Sequence, residues 1–274
     1  MKTLRESILS RSSHGAKGFE AQRRELIEKW LKEYDIENYT INDDFTIDVD
    51  EGVSLFRKNL TEFPTYIQFG VVKGKFVCSF NHLSSLRGIP KEVGGNFDCS
   101  NNQLTSLEGA PKEIGGDFMC HNNQLTSLKD APIIVKGYFS CSDNQLTTLK
   151  GAPKDVGGDF YCDSNNLTSL KGAPRKVGGD FDCRWNKLTS LEEAPKEIGG
   201  NFECSNNRLI SLKGAPKDVG RDFYCDSNNL TSLKGAPRKV GGDFDCYKND
   251  VQFTRKDVEK ICNVKGVTHT SNTY

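Results

Sequence analysis

Between Gly74 and Phe253 the chain repeats one short apolar pattern nine times and breaks it with polar turns between. Each instance is Phe-x-Cys, from Phe76-Val77-Cys78 to Phe244-Asp245-Cys246. Apolar residues two apart share one face of a strand, so each unit is predicted to hold a short strand with Phe and Cys turned inward. The cysteines Cys78, Cys99, Cys120, Cys141, Cys162, Cys183, Cys204, Cys225 and Cys246 follow one another at a constant spacing of 21 residues. Counting from each cysteine, Asn lies three positions on (Asn81 through Asn249), with Leu at five and eight in every unit before the last. Pro follows at twelve (Pro90 through Pro237) and Val or Ile at fifteen (Val93 through Val240). The Pro and the Gly-Gly pairs punctuate turns and argue against a long helix inside the unit, which reads as a strand, a bend and an extended return.

One unit cannot fold alone. Burying five or so apolar side chains yields roughly 1.5–3 kcal/mol each, whereas ordering the backbone costs roughly 1–2 kcal/mol per residue over the whole unit. Stacked units share their buried faces and can. A degenerate earlier unit is visible at Val53, Leu55, Leu60 and Phe63. Some ten rungs at strand spacing predict a sheet on the order of 45 Å long.

The string Phe-x-Cys-x-x-Asn-x-Leu-x-x-Leu resembles the heart of the leucine-rich repeat, in its short bacterial and bacteriophage form, over about Val53 to Val251. Val or Ile stands one residue earlier than that pattern's first Leu. The resemblance implies an α/β solenoid with a parallel β-sheet on its concave face and extended, turn-rich returns on its convex side. Apolar residues at helical spacing near both termini add helical caps. Phe19, Leu26, Trp30, Leu31 and Tyr34 lie near one helical face, "NYTINDDFTIDVD" alternates like a hairpin, and Val258, Ile261 and Cys262 suit a closing helix. The expected organisation is a cap over 1–52, the solenoid over 53–251 and a second cap over 252–274. "MKTLRESILSRS", set off by "SSHGAKG", reads as a frayed start or a docking peptide.

Repeated Cys and Asn invite a chemical reading, and architecture explains them better. No two cysteines lie closer than 16 residues, whereas structural zinc sites use close pairs. Equivalent cysteines on parallel rungs point the same way and suit packing rather than disulfides. The asparagine sits where the strand ends, and its amide can satisfy backbone groups buried at the bend. "GGDFD" lacks the third Gly and the nine-residue period of the calcium-binding repeat. His14, His82, His121 and His269 are scattered, and no nucleophile triad or phosphate loop stands out, so no catalytic residue, cofactor or metal is expected.

Charge sharpens the picture. Lys plus Arg is 37 and Asp plus Glu is 37, which gives no whole-chain attraction to nucleic acid or anionic lipid. In the columns flanking Phe and Cys, however, twelve acids face three bases, while the returns carry Lys and Arg. Among the acids stand Tyr138, Tyr161, Trp185, Tyr224 and Tyr247. Aromatic anchors set in charge are the composition of a protein-binding surface. The expected site is Tyr138, Tyr161, Asp163, Asp180, Asp182, Trp185, Glu203, Tyr224, Asp226, Asp245 and Tyr247, facing a basic patch on a partner protein. The competing reading is that Asp keeps an exposed sheet solvated. Gly151–Cys183 recurs at Gly214–Cys246 with one change, Arg221 standing where Gly158 stands, so Tyr161, Asp163 and Asp182 reappear as Tyr224, Asp226 and Asp245.

The N-terminal segment, the hairpin stretch and the repeats together resemble leucine-rich repeat proteins of tailed bacteriophages. That resemblance implies a non-enzymatic binding module with a host factor as partner, or else a structural or assembly component of the particle. A ubiquitin ligase domain, which follows the short bacterial repeats in secreted effectors, does not fit after Val251. The charged start and the lack of a long apolar run predict a chain kept in the cytoplasm, away from membranes; the bacteriophage resemblance makes that the host cytoplasm, or a virion, and a monomer is expected.

Overall fold

A computed structural model describes the backbone of residues 4–270 and the side chains of residues 18–270. Helix α1, Leu4–Glu33, leads into an antiparallel hairpin, Tyr39–Ile41 with Ile47–Val49, in register Tyr39↔Val49. The "SSHGAKG" stretch does not interrupt α1; the side chains of the first dozen residues, and with them the docking reading, lie outside the described residues.

From Val53 onward the chain winds as a solenoid of parallel strands, the architecture expected from the repeats. The Phe-x strands pair in parallel into one eleven-stranded sheet, each Phe opposite the next, as in Phe160↔Phe181 and Phe181↔Phe202. The eleventh strand, Thr268–His269, adds a rung to the ten read from the repeats. It bears no Phe-x-Cys, which is why the pattern missed it.

The returns, expected to be merely extended, form a second parallel sheet. Their paired residues are the Val or Ile before the Gly pair, as in Val156↔Val177. This sheet starts at the hairpin, because Ile47 pairs with Phe69, so the N-terminal cap is sewn onto the solenoid by backbone bonds. It is interrupted once, between Glu197–Ile198 and Asp218–Val219. Arg221, the single departure in the duplicated segment, sits two residues after that interruption.

Between the sheets lies a continuous core of Phe, Cys, Leu and Val columns. The Phe rings stack along the axis with centroids 5.2 Å apart at Phe139–Phe160 and 5.5 Å at Phe160–Phe181. The cysteines are free thiols in this core, and Cys162 Sγ donates to Asp182 O at 3.2 Å on the next rung. Burial pushes their thiol pKa values up, which suits packing and not redox or metal chemistry. Among the described residues no group of His, Cys, Asp or Glu is arranged to hold a metal ion, and no helix is long and apolar enough to cross a membrane.

The caps differ in detail from the pattern. In α1 the buried face is Ile27, Trp30 and Leu31, with the Trp30 ring 6.1 Å from Phe63, while Phe19 and Leu26 are exposed. Helix α2, Arg255–Glu259, opens with a capping box in which Thr254 and Asp257 satisfy each other's backbone N–H. It buries Val258 and leaves Ile261 outside, because the helix ends before Ile261.

Asparagine clips each rung to the one before. Asn144 Oδ1 accepts from Leu125 N at 2.9 Å, and its Nδ2 donates to the carbonyls of Cys120, Cys141 and Ser142, each at 3.1 Å. The same set recurs at Asn165 and Asn186. Asn144→Ala leaves several buried backbone groups unpaired and is expected to cost about 3 kcal/mol, read as a lowered urea midpoint. A loss under about 0.5 kcal/mol, the scale of an ordinary surface substitution, would contradict this.

Candidate functional site

Three columns of side chains flank Phe and Cys on the outer face of the eleven-stranded sheet, the concave face of the expected fold. The structure gives them different duties.

The column three before each cysteine is mostly scaffold. Asp159 Oδ1 accepts from Asp180 N at 2.8 Å, Asp180 Oδ1 from Asn201 N at 2.7 Å, and Asn201 Oδ1 from Asp222 N at 3.0 Å. Each carboxylate or amide thus caps the backbone of the next rung, a second ladder beside the asparagines. At Gly179, Gly200 and Gly242 the second Gly of the pair makes room for it: a Cβ at Gly200 would lie 2.0 Å from Asp180 Oδ1. Asp180, read from sequence as a binding acid, is a structural residue of this ladder. Asp and Asn alternate in the column, and that was its signal, because only the shared Oδ1 is used.

The column one before the cysteine is strand, and its acids are deeper than an exposed sheet would place them. Asp182 is 3% exposed and Asp245 7%. Asp182 accepts from Arg184 Nη2 at 2.7 Å and Nε at 3.0 Å, and Arg184 also reaches Glu203 at 2.9 Å on the next rung. Burial raises the Asp182 pKa even so, and it pushes Glu203 up to about 7, with the Asp182 charge adding to it and Arg184 opposing. Tyr161 donates to Asp159 at 2.6 Å and Tyr224 to Asp222 at 3.0 Å; burial first, then these carboxylates, push both phenol pKa values up. Tyr138 packs edge-on to Tyr161, with centroids 6.1 Å apart.

In the column one after the cysteine, Ser142 donates to Asp163 and Ser205 to Asp226 across rungs, and Ser164 and Ser227 donate to the other oxygens at 3.1 and 3.0 Å. Burial pushes the Asp245 carboxyl up to about 6, with His269 opposing and Asp226, Asp243 and Asp222 adding to the rise.

Six of the eleven expected residues converge. Trp185, Glu203, Tyr224, Asp226, Asp245 and Tyr247 line one hollow of about 430 Å³, with Arg184 at its edge. Tyr138, Tyr161 and Asp163 lie on the preceding rungs, and Asp180 and Asp182 on the rung of Trp185, all outside the hollow's lining. Sequence reasoning counted Arg184 only as one of three bases on this face and did not place it in the site, where it pairs with Asp182 and Glu203.

Trp185 stands out by its backbone. The residue two after each cysteine is left-handed, with φ from 49° at Lys248 to 56° at Phe80, and Trp185 has φ 52°. Asn or Asp commonly occupies that conformation, and a bulky aromatic there is strained. Trp185 is nonetheless 61% exposed, so no core packing offsets its strain. Phe80 shares the conformation but packs edge-on to Phe56 at 5.3 Å, with Arg57 over its ring.

No protein-family model matches the sequence, and neither does any curated protein. The chain is similar to a solved structure, YopM from Yersinia enterocolitica WA-314, at 17% sequence identity, with 82% of this chain and 57% of that chain covered and a TM-score of 0.36. That overlay is loose, and the strand register and the asparagine ladder define the fold.

Two outcomes follow from this geometry. Trp185→Asn removes the strain and is expected to raise stability by up to about 1 kcal/mol in urea denaturation; a destabilised variant would show that the ring packs usefully in the free protein. The Glu203 carboxyl is pushed in the folded state from its ordinary range up to about 7. Its contribution to stability is therefore fully present below the unfolded value and is lost as pH rises through about 7. Urea midpoints are expected to fall between pH 5 and pH 8 with a shallower slope in Glu203→Gln, and an unchanged slope would contradict the raised carboxyl.

Proposed function

We propose that the solenoid is a protein-binding module that receives a basic patch of a partner protein on the outer face of its Phe-strand sheet, centred on the hollow around Tyr224. The carrying observation is the convergence of Trp185, Tyr224 and Tyr247 with Glu203, Asp226 and Asp245 around one open hollow. Aromatic rings supply contact area at low entropic cost, and partly desolvated carboxylates favour cations over anions. The strain at Trp185 supports the same reading, since a costly conformation persists most often where function uses it. Tyr138, Tyr161, Asp163 and Asp182 extend the surface beside the hollow as its flank. A host protein, the class of partner that the bacteriophage resemblance implies, belongs to this proposal too.

A random peptide library selected against the immobilised protein tests the reading. Enriched peptides are expected to carry net positive charge, to weaken on the order of tenfold between low and moderately high salt, and to lose about 2 kcal/mol of binding against Trp185→Ala or Tyr224→Ala. Enrichment of neutral or acidic peptides, or binding indifferent to both substitutions, would sink it.

A further inference from the structure

The duplicated segments place the same buried carboxylate in two different settings. In the first copy Asp182 sits opposite Glu203 on the next strand, and the Arg184 guanidinium bridges them. Arg184 also donates its backbone N–H to Asp182 Oδ1 at 2.9 Å. In the second copy Asp245 holds the equivalent strand position, opposite His269, and Tyr247 occupies the place of Arg184.

The consequence falls on one atom. Asp245 Oδ1 is buried and, among the described residues, accepts no hydrogen bond. His269 Nε2 lies 3.8 Å away, beyond hydrogen-bond reach, and is equally close to Asp243. The neighbouring Asp226, by contrast, has both oxygens engaged by Ser205 and Ser227. A buried carboxylate oxygen without a donor is unfavourable by more than a neutral group would be, and a donor brought to it recovers that free energy. Asp245 lines the hollow, so a donor entering it meets the carboxyl group there, and the covered Oδ1 is reached when that group turns.

The chain itself indicates which donor fits. Around Asp182 the same strand geometry is satisfied by a planar, bidentate guanidinium. We infer that the hollow over Asp245 takes the guanidinium of an arginine side chain from a partner protein, repeating between molecules the contact that Arg184 makes within the chain. This rests on the protein-binding reading and names the chemistry of its central contact. Arginine fits better than lysine because its flat cation can donate twice to Asp245 while lying against the rings of Tyr224, Tyr247 or Trp185. An arginine within a chain fits better than the free amino acid, whose own carboxylate would approach Glu203 and Asp226.

The test uses the full chain and four probes followed by NMR at the Trp185 indole and the Asp245 amide. These are a Gly-rich peptide with one arginine and blocked ends, its citrulline twin, its lysine twin and free L-arginine. The arginine peptide is expected to shift both signals saturably, with the other three probes at least about tenfold weaker. Tyr247→Arg, which supplies the guanidinium from within, is expected to abolish that binding and raise the thermal midpoint. Arg184→Tyr is expected to open an equivalent site at Asp182 and change the stoichiometry from one to two. Asp245→Asn, which removes a buried charge without changing shape, is expected to weaken the arginine peptide at least about tenfold while the protein stays folded. Equal binding of the citrulline twin, tighter binding of free arginine, or undiminished binding to Tyr247→Arg and Asp245→Asn would overturn the inference. The last outcome would leave the broader reading standing if library-selected basic peptides still need Trp185 and Tyr224; failure of that selection would remove both.

Discussion

The asparagine column is the constraint from which the rest of this structure follows. A chain that turns back on itself every 21 residues must bury backbone groups at each bend, and strand pairing does not reach them. One amide per rung, as at Asn144, accepts from a leucine amide of the preceding rung and donates to carbonyls on both rungs. That geometry holds only if the rungs stay in exact register, which fixes the spacing of every other column. Cysteine suits the position three before Asn because it is small enough for close stacking, and its thiol still donates weakly to the next rung, as Cys183 does to Glu203 O at 3.2 Å.

The second ladder, three residues before the cysteine, changes what the charge on this face means. Acids such as Asp159, Asp180 and Asp222 are anionic, but their Oδ1 atoms are committed to backbone amides. Others are paired with Ser or Arg. Counting acids along the sequence therefore overstates the number of carboxylate oxygens free to bond a partner, and Arg184 offsets part of the charge. The buried acid that no Ser, Arg or backbone donor engages at Oδ1 is Asp245, in the hollow among three aromatic rings. The return sheet is interrupted near Arg221, where the second Gly of the pair is lost, just beside the rungs that line this hollow.

Much of this was legible beforehand, because a strict period makes each column its own experiment. The inward Phe and Cys, the capping Asn and the degenerate rung at Val53 and Leu55 are buried as the pattern predicted. Other features were hidden for physical reasons. The returns carry a single apolar residue per turn, too little alternation to announce a sheet. Asp in the ladder column looks like any solvated acid until its Oδ1 is traced to the next rung. Ile27 replaces Leu26 in the buried face of α1 because a helical stripe drifts against any fixed spacing. The eleventh strand has no Phe or Cys, and nothing in Thr268–His269 marks it. Within the site, the aromatic residues were recognisable by type, whereas the unequal settings of Asp182 and Asp245 depend on which side chain stands two residues on.

Native-state amide hydrogen exchange, resolved by residue, tests the ladder account most directly. The amides of Leu125, Leu146, Leu167 and Leu188, bonded to asparagine side chains, and those of Asp180 and Asn201, bonded to the second ladder, are expected to exchange as slowly as the strand amides of Phe160 and Phe181 and to lose protection together with them. If the leucine and ladder amides exchange orders of magnitude faster than the strand amides, the side-chain ladders do not hold the rungs together, and the account fails at its foundation.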